Sequence, residues 1–298
     1  SDLALPAADP DAFSVTINLD GTNRVLDFGR VSLRSPSFRV LVDHGNGALE
    51  QVPAPPPRTY RGSVRDLPGS TVVGSLIDGR LSAVVYPPDG EAIVIEPAAS
   101  LDPAAPAGRH VIYRTSDVVP APGSCGNDFY QVGVPQRQEE PPLPMEGDEA
   151  GDGGIAGTGL HVIEIAFDAD YEFFQKNGNS VTQTVNDIEN VFSSVEFIYE
   201  RDVSITFEIS AIVIRSSVSD PYTSNVADEL LCEFRSTWNS DPEDGIKRDV
   251  AQLFTGKSLV GSTIGLAWAG VVCSGNGIAC GAFGNSSYRL VESKYFGG

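Results

Sequence analysis

Two hydrophobic periodicities divide the chain. Up to Arg114 apolar residues recur at every second position in short runs, as in Phe13-Ser-Val15-Thr-Ile17-Asn-Leu19, which ends in the turn signal Asp20-Gly21. Phe38–Val42, Tyr60–Val64, Thr71–Leu76, Leu81–Tyr86, Ala92–Glu96 and Val111–Arg114 read as further strands, punctuated by Asp78-Gly79 and Pro87-Pro88-Asp89-Gly90. Short strands at regular spacing with such turns predict an antiparallel sandwich or open barrel.

From Leu160 the pattern alternates between strands and helices. Leu160–Phe167 reads as a strand. Ser180–Tyr199 carries Val181, Val185, Ile188, Val191, Phe192, Val195 and Ile198 at helical spacing, with Ser180 and Gln183 as a capping box. Val203–Ile214 is a long strand whose continuous apolar end, Ala211–Ile214, suits burial on both faces. Asn225–Trp238 predicts a helix with Val226, Leu230, Phe234 and Trp238 on one face. A short third helix is expected over about Gly245–Phe254, stopped by Thr255-Gly256, followed by a strand at Thr263–Trp268 with Gly265 at its centre. Ser287–Glu292 reads as a last strand. This order implies right-handed crossovers and parallel pairing.

The stretch Glu139–Thr158 combines Glu-Glu-Pro-Pro-Leu-Pro with an acidic, glycine-rich run and cannot bury apolar area. The expectation is therefore an α+β protein in three parts: a β-rich unit at 1–138, an acidic linker at 139–158, and a mixed twisted sheet with helices at 159–298. The linker is a place where a protease can cut, and it offers no dibasic cluster for a furin-type enzyme.

Charge narrows the partners. The 298 residues carry 40 acidic and 20 basic side chains, a formal net charge of −20, which repels nucleic acid and anionic membrane surfaces. No apolar run reaches the length of a membrane span, and the first residues do not read as a signal peptide, as in a processed secreted protein or a trimmed chain. The four cysteines, Cys125, Cys232, Cys273 and Cys280, contain no Cys-x-x-Cys pair, which argues against a zinc ribbon or a thioredoxin-type motif. Cys273 and Cys280 are close enough in sequence to close a short loop, and an oxidising compartment is preferred.

Few residues invite chemistry. Glu164 lies between Ile163 and Ile165 in a strand expected to be covered on both faces. Its carboxylate must there be paired, hydrogen-bonded or bound to a metal. His44, His110 and His161 include no pair at helical spacing, and His161 and Glu164 point to opposite faces of their strand.

The segment Val250-Ala-Gln-Leu-Phe-Thr-Gly256, preceded by Lys247-Arg248-Asp249 and followed by Ile264-Gly-Leu-Ala267 and Cys273, resembles a family signature. It is the "His-Asp-x-Ala-x-Leu-Leu-Thr-Gly … Ile-Gly-Leu-Ala … Cys" pattern of the reprolysin (adamalysin) branch of metzincin zinc endopeptidases, with Arg248 in place of the usual His. Upstream, Tyr60-Arg-Gly62-Ser-Val64, Ser70, Gly79 and Ile95-Glu96-Pro97 are similar to the family's propeptide pattern. The resemblance covers most of Leu160–Val291 and, more loosely, Tyr60–Cys125.

The resemblance implies a secreted zymogen: a β-rich propeptide docked on the upper subdomain of a catalytic domain that hydrolyses protein or peptide substrates. Cys125, in Pro-Gly-Ser-Cys-Gly, would be the propeptide thiolate that takes the fourth position on zinc and excludes the hydrolytic water; the alternative is a disulfide cysteine. Ile264, Gly265, Leu266 and Ala267 would form the strand against which an extended substrate pairs, or else an interior strand with a packing glycine. Glu164 and Asp249 would be calcium ligands, or else a rim carboxylate bonded to backbone and a helix-surface acid. The His-Glu-x-x-His motif that zinc hydrolysis requires occurs nowhere in the chain. The 298 residues are thus expected to be inactive alone, as the N-terminal part of a precursor. The competing expectation is a non-catalytic binding or scaffold protein that kept the fold.

Overall fold

The computed structural model describes residues 1–119 apart from 8, 20 and 107, the backbone of 124–125, residues 160–267 apart from 262, and the backbone of 286–290. The expected linker, Trp268, Cys273 and Cys280 lie outside the described residues.

The alternating runs of the N-terminal half form β1 (Ala12–Leu19), β2 (Thr22–Arg30), β3 (Arg34–Asp43), β4 (Leu49–Val52), β5 (Thr59–Val64), β6 (Thr71–Ile77), β7 (Arg80–Tyr86), β8 (Ile93–Pro97) and β9 (His110–Arg114). Seven of them make one antiparallel sheet in the order β1-β2-β5-β6-β7-β8-β9. One face of it carries a continuous core that includes Val15, Ile17, Leu26, Phe28, Tyr60, Leu76, Leu81 and Ile95. Ser1 and Asp2 pair with His110 and Arg109 at the β9 margin. Of the expected sandwich or open barrel, the two-sheet sandwich is not formed: these seven strands make a single sheet. The hairpin that would have begun a second layer, β3–β4, leaves it.

That hairpin enters the sheet of the C-terminal half. There the chain forms a two-residue β10 (Ser124–Cys125), then β11 (His161–Ala169), α1 (Tyr171–Lys176), α2 (Val181–Val203) and β12 (Ile205–Arg215). After these come α3 (Ala227–Trp238), β13 (Val250–Thr255), β14 (Thr263–Ala267) and β15 (Ser286–Leu290). The eight strands lie in the order β10-β14-β15-β13-β11-β12-β3-β4. β11, β12, β13 and β15 run parallel to their neighbours within this group, β14 is antiparallel to β15, and β3 adds parallel to β12. Residues 34–52, expected in the first unit, thus pair with the second.

The continuous apolar end of β12 has the predicted consequence, since helices cover both faces. Val185, Ile188 and Phe192 of α2 pack on Phe167, Ile212 and Ile214. Leu230, Leu231, Phe234 and Trp238 of α3 pack on Ala211, Val213 and Leu253 from the other side. The far side of α2 meets the first sheet. This accounts for the buried Asn190 and Glu196, polar residues on a face that a surface helix would leave to water, while Arg34 of β3 meets the buried Glu189. Ser75 donates to Asn190, Arg61 reaches Glu196 and Glu200, and Phe197 packs on Val73 and Val84.

Two local expectations are corrected. Gln183 N–H donates to the Ser180 hydroxyl at 3.3 Å, but the Gln183 side chain donates to Asp78 across the interface, so only half of the capping box forms. The helix expected over Gly245–Phe254 is a 3-10 turn at Glu243–Gly245 followed by strand β13. Val250, Ala251, Leu253 and Phe254 are all buried between β11 and β15, and a six-residue apolar run of this kind has no period that separates strand from helix.

Candidate functional site

The corrected strand changes the meaning of Thr255-Gly256. Asp170 caps α1, accepting from Phe173 N–H at 2.7 Å, and the same carboxylate accepts from Gly256 N–H at 2.9 Å and from the Thr255 hydroxyl. Gly256 lies so close to α1 that a Cβ would sit 2.3 Å from the carbonyl carbon of Glu172. Threonine and glycine are therefore needed here to dock the end of β13 onto the start of α1, not to stop a helix. Lys257 binds Glu172 at 2.7 Å, and Asp220 accepts from Tyr171 N–H at 2.8 Å. Burial lifts Asp170 to about 7 and Asp220 to about 6, against the hydrogen bonds that would lower them.

From this anchored corner the chain runs to β14, the strand expected to receive an extended peptide. Leu266 and Thr263 are buried, whereas Ile264, Gly265 and Ala267 are half-buried. On its inner side β14 pairs Gly265, Leu266 and Ala267 with Arg289, Tyr288 and Ser287. Its outer side is partly taken: Ser124 pairs with Thr263 and Cys125 with Gly265, in parallel. The structure thus brings together two features that the sequence separates by some 140 positions, the Cys125 segment and the Ile264–Ala267 strand.

Glu164 and Asp249 also meet. Asp249 Oδ2 accepts from Glu164 N–H at 2.8 Å, and Asp249 N–H donates to Glu164 O at 2.8 Å, which extends the β11–β13 ladder by a side chain. The Glu164 carboxylate lies 2.6 Å from Lys247 Nζ, and Glu208 is its register partner on β12. Asp249 is therefore a strand-end carboxylate, not a helix-surface acid. Lys247 was not foreseen; its place two residues before Asp249 was the available signal.

The histidines lie apart. Nε2 of His110 accepts from Leu81 N–H at 3.1 Å inside the first sheet, His44 contacts Ser216 at a turn, and His161 opens β11. Among the described residues no group of three His, Cys, Asp or Glu side chains could hold a metal. The described residues therefore do not fit a catalytic zinc. Cys232 on α3 is disulfide-bonded.

Residues 160–295 match a reprolysin model of metallo-peptidase family M12. The chain is 25% identical over 222 residues to "Disintegrin and metalloproteinase domain-containing protein 19" of Mus musculus, covering 72% of this chain and 22% of that protein. For the Homo sapiens protein of the same name the identity is 26% over 222 residues, with the same coverage. "Disintegrin and metalloproteinase domain-containing protein 10" of Xenopus laevis is 23% identical over 282 residues, 84% of this chain and 36% of that protein. The chain spans about a fifth to a third of the length of these relatives, 22% to 36%. With the strands β13 and β14 and the mixed sheet that holds them, residues 160–295 are thus similar to the reprolysin-type M12 metallopeptidases.

Proposed function

We propose that this chain supplies the sheet, the peptide-docking rim and the latency cysteine of a secreted zinc endopeptidase zymogen whose zinc-holding helix lies outside these 298 residues. The observation that carries the reading is the pairing of Ser124 and Cys125 with Thr263 and Gly265. A strand that binds an extended peptide does so through its outer N–H and C=O groups, with little demand on sequence. A propeptide strand lying on those groups denies them to substrate and delivers its cysteine beside the same rim. Residues 1–138 act as the propeptide and 139–158 as the tether.

Glu164 and Asp249 are the residues that would hold calcium. Two carboxylates fall short of the six to eight oxygens calcium takes, so the corner needs further donors. The Lys247 ammonium now on Glu164 supports its preference for a cation. The disulfide at Cys232 supports an oxidising, extracellular setting. No described helix is long and apolar enough to cross a membrane. No step of hydrolysis is assigned to this chain's own residues.

The absence of His-Glu-x-x-His from the sequence favours one competing reading, a scaffold that kept the fold without the chemistry. The native precursor that carries this region decides between them. The proposal expects one zinc per molecule and peptide cleavage that a chelator abolishes. A precursor that holds no zinc and cleaves no peptide is the scaffold result, and cleavage unaffected by chelation would contradict both readings.

A further inference from the structure

Two anchors of unequal size hold the N-terminal half on the sheet of the α/β half. At the β14 side the anchor is the two-residue strand β10. At the opposite edge it is β3, which pairs Arg39 to Asp43 with Ala211 to Arg215 without a break. β3 is buried on both faces: Val40 and Val42 enter the core under α2, and Leu41 enters the core under α3. A strand sharing both cores is an interior member of the sheet, not an added edge.

Charge fixes the same contact. Arg34 grips the buried carboxylate of Glu189 with two bonds, at 2.6 and 2.9 Å. Arg215, equally buried, binds Asp168 at 2.6 Å, Glu243 at 2.8 Å and Asp43 at 3.2 Å. Asp43 also accepts from the N–H groups of Gly45, Asn46 and Gly47, so its carboxylate is held from within the hairpin. Withdrawal of the N-terminal half would leave Glu189 unpaired, strip β12 of a ladder partner and open both cores at once.

We propose that residues 1–119 are a permanent partner of residues 160–298, retained through β3 after any cut between the halves, so that such a cut divides the chain without releasing its N-terminal half. The outer side of β12 is thus an interaction surface whose partner, β3, is a segment of the same chain.

The test is a full chain with a specific protease sequence inserted between residues 139 and 158, cut to completion. At about 1 μM the two fragments are expected to elute as one 1:1 complex, with the amides of Ala211–Arg215 protected from hydrogen exchange as in the uncut chain. Separate elution, or loss of that protection, overturns the proposal. Arg34→Ala in the cut chain should weaken association by about tenfold or more, whereas Arg24→Ala, whose Asp66 partner lies within the first half, should not change it. Equal association in the two variants also overturns it. If Arg34→Ala fails to fold, elution and exchange of the cut wild-type chain decide alone. Neither readout uses peptidase activity, so failure here is distinct from failure of the zinc reading.

Discussion

Asp170 shows how one side chain converts a sequence signal into a structural device. It caps α1 and binds Thr255 and Gly256, and burial lifts its pKa to about 7 from 3.8. The folded state therefore holds this proton more tightly than the unfolded chain does. Its contribution to stability is fully present below about pH 4 and is lost as the pH rises towards and through 7. Asp220, at about 6, acts in the same direction. Urea unfolding of the wild type and of Asp170→Asn is expected to differ in pH profile. The wild type should lose stability from pH 5 to pH 8 more steeply than the variant, and parallel profiles would contradict the assignment. Arg34→Ala strands the buried carboxylate of Glu189 and should cost about 3–5 kcal/mol. Burial raises the Glu189 pKa, so the loss should be smaller at pH 5 than at pH 8, where the carboxylate must stay charged. A loss below about 1 kcal/mol, within the range of a surface pair, would contradict it.

At the scale of elements, alternation was sufficient for most strands. β1, β5, β6 and β7 fall within a residue or two of their expected limits because each buries one face against a shared core. β2 was not legible as a strand: Asn23, Arg24, Asp27 and Arg30 interrupt a run in which Leu26 and Phe28 are buried. β13 was misread because it is apolar on both faces. Its partners on either side are set by residues far away in sequence, as is the pairing of β3 with β12. No local pattern encodes such a partner. Close strand contact was foreshadowed by glycine. At Gly62 a Cβ would meet Asp27 O at 1.7 Å, whereas at Gly245 nothing lies within 4 Å. Gly62→Ala should therefore lower stability by at least about 2 kcal/mol and Gly245→Ala by less than about 0.5 kcal/mol. Thermal unfolding of the pair checks this, and equal shifts would refute the packing of β2 on β5.

For the whole molecule, the site was legible in parts and its assembly was not. The resemblance singled out Cys125, Glu164, Asp249 and Ile264–Ala267 by motif. Only the fold shows that Cys125 and Gly265 are register partners and that Glu164 and Asp249 exchange backbone and side-chain bonds. The reciprocal bond between Asp249 and Glu164 predicts a specific competition. Lys247→Ala removes the ammonium at 2.6 Å from Glu164 and should raise calcium affinity at this corner by about tenfold. Calorimetric titration reads this, and an unchanged or weaker affinity would remove the site.

The central claim is that one strand of the N-terminal half keeps the peptide rim closed. It is tested most directly by the rate at which the native precursor cleaves a peptide before any activation, compared with Cys125→Ala. The account predicts a basal rate at least about tenfold higher in the variant, as expected when a thiolate no longer holds the metal, together with faster amide exchange at Thr263–Ala267. Equal basal rates and unchanged exchange at β14 would contradict it.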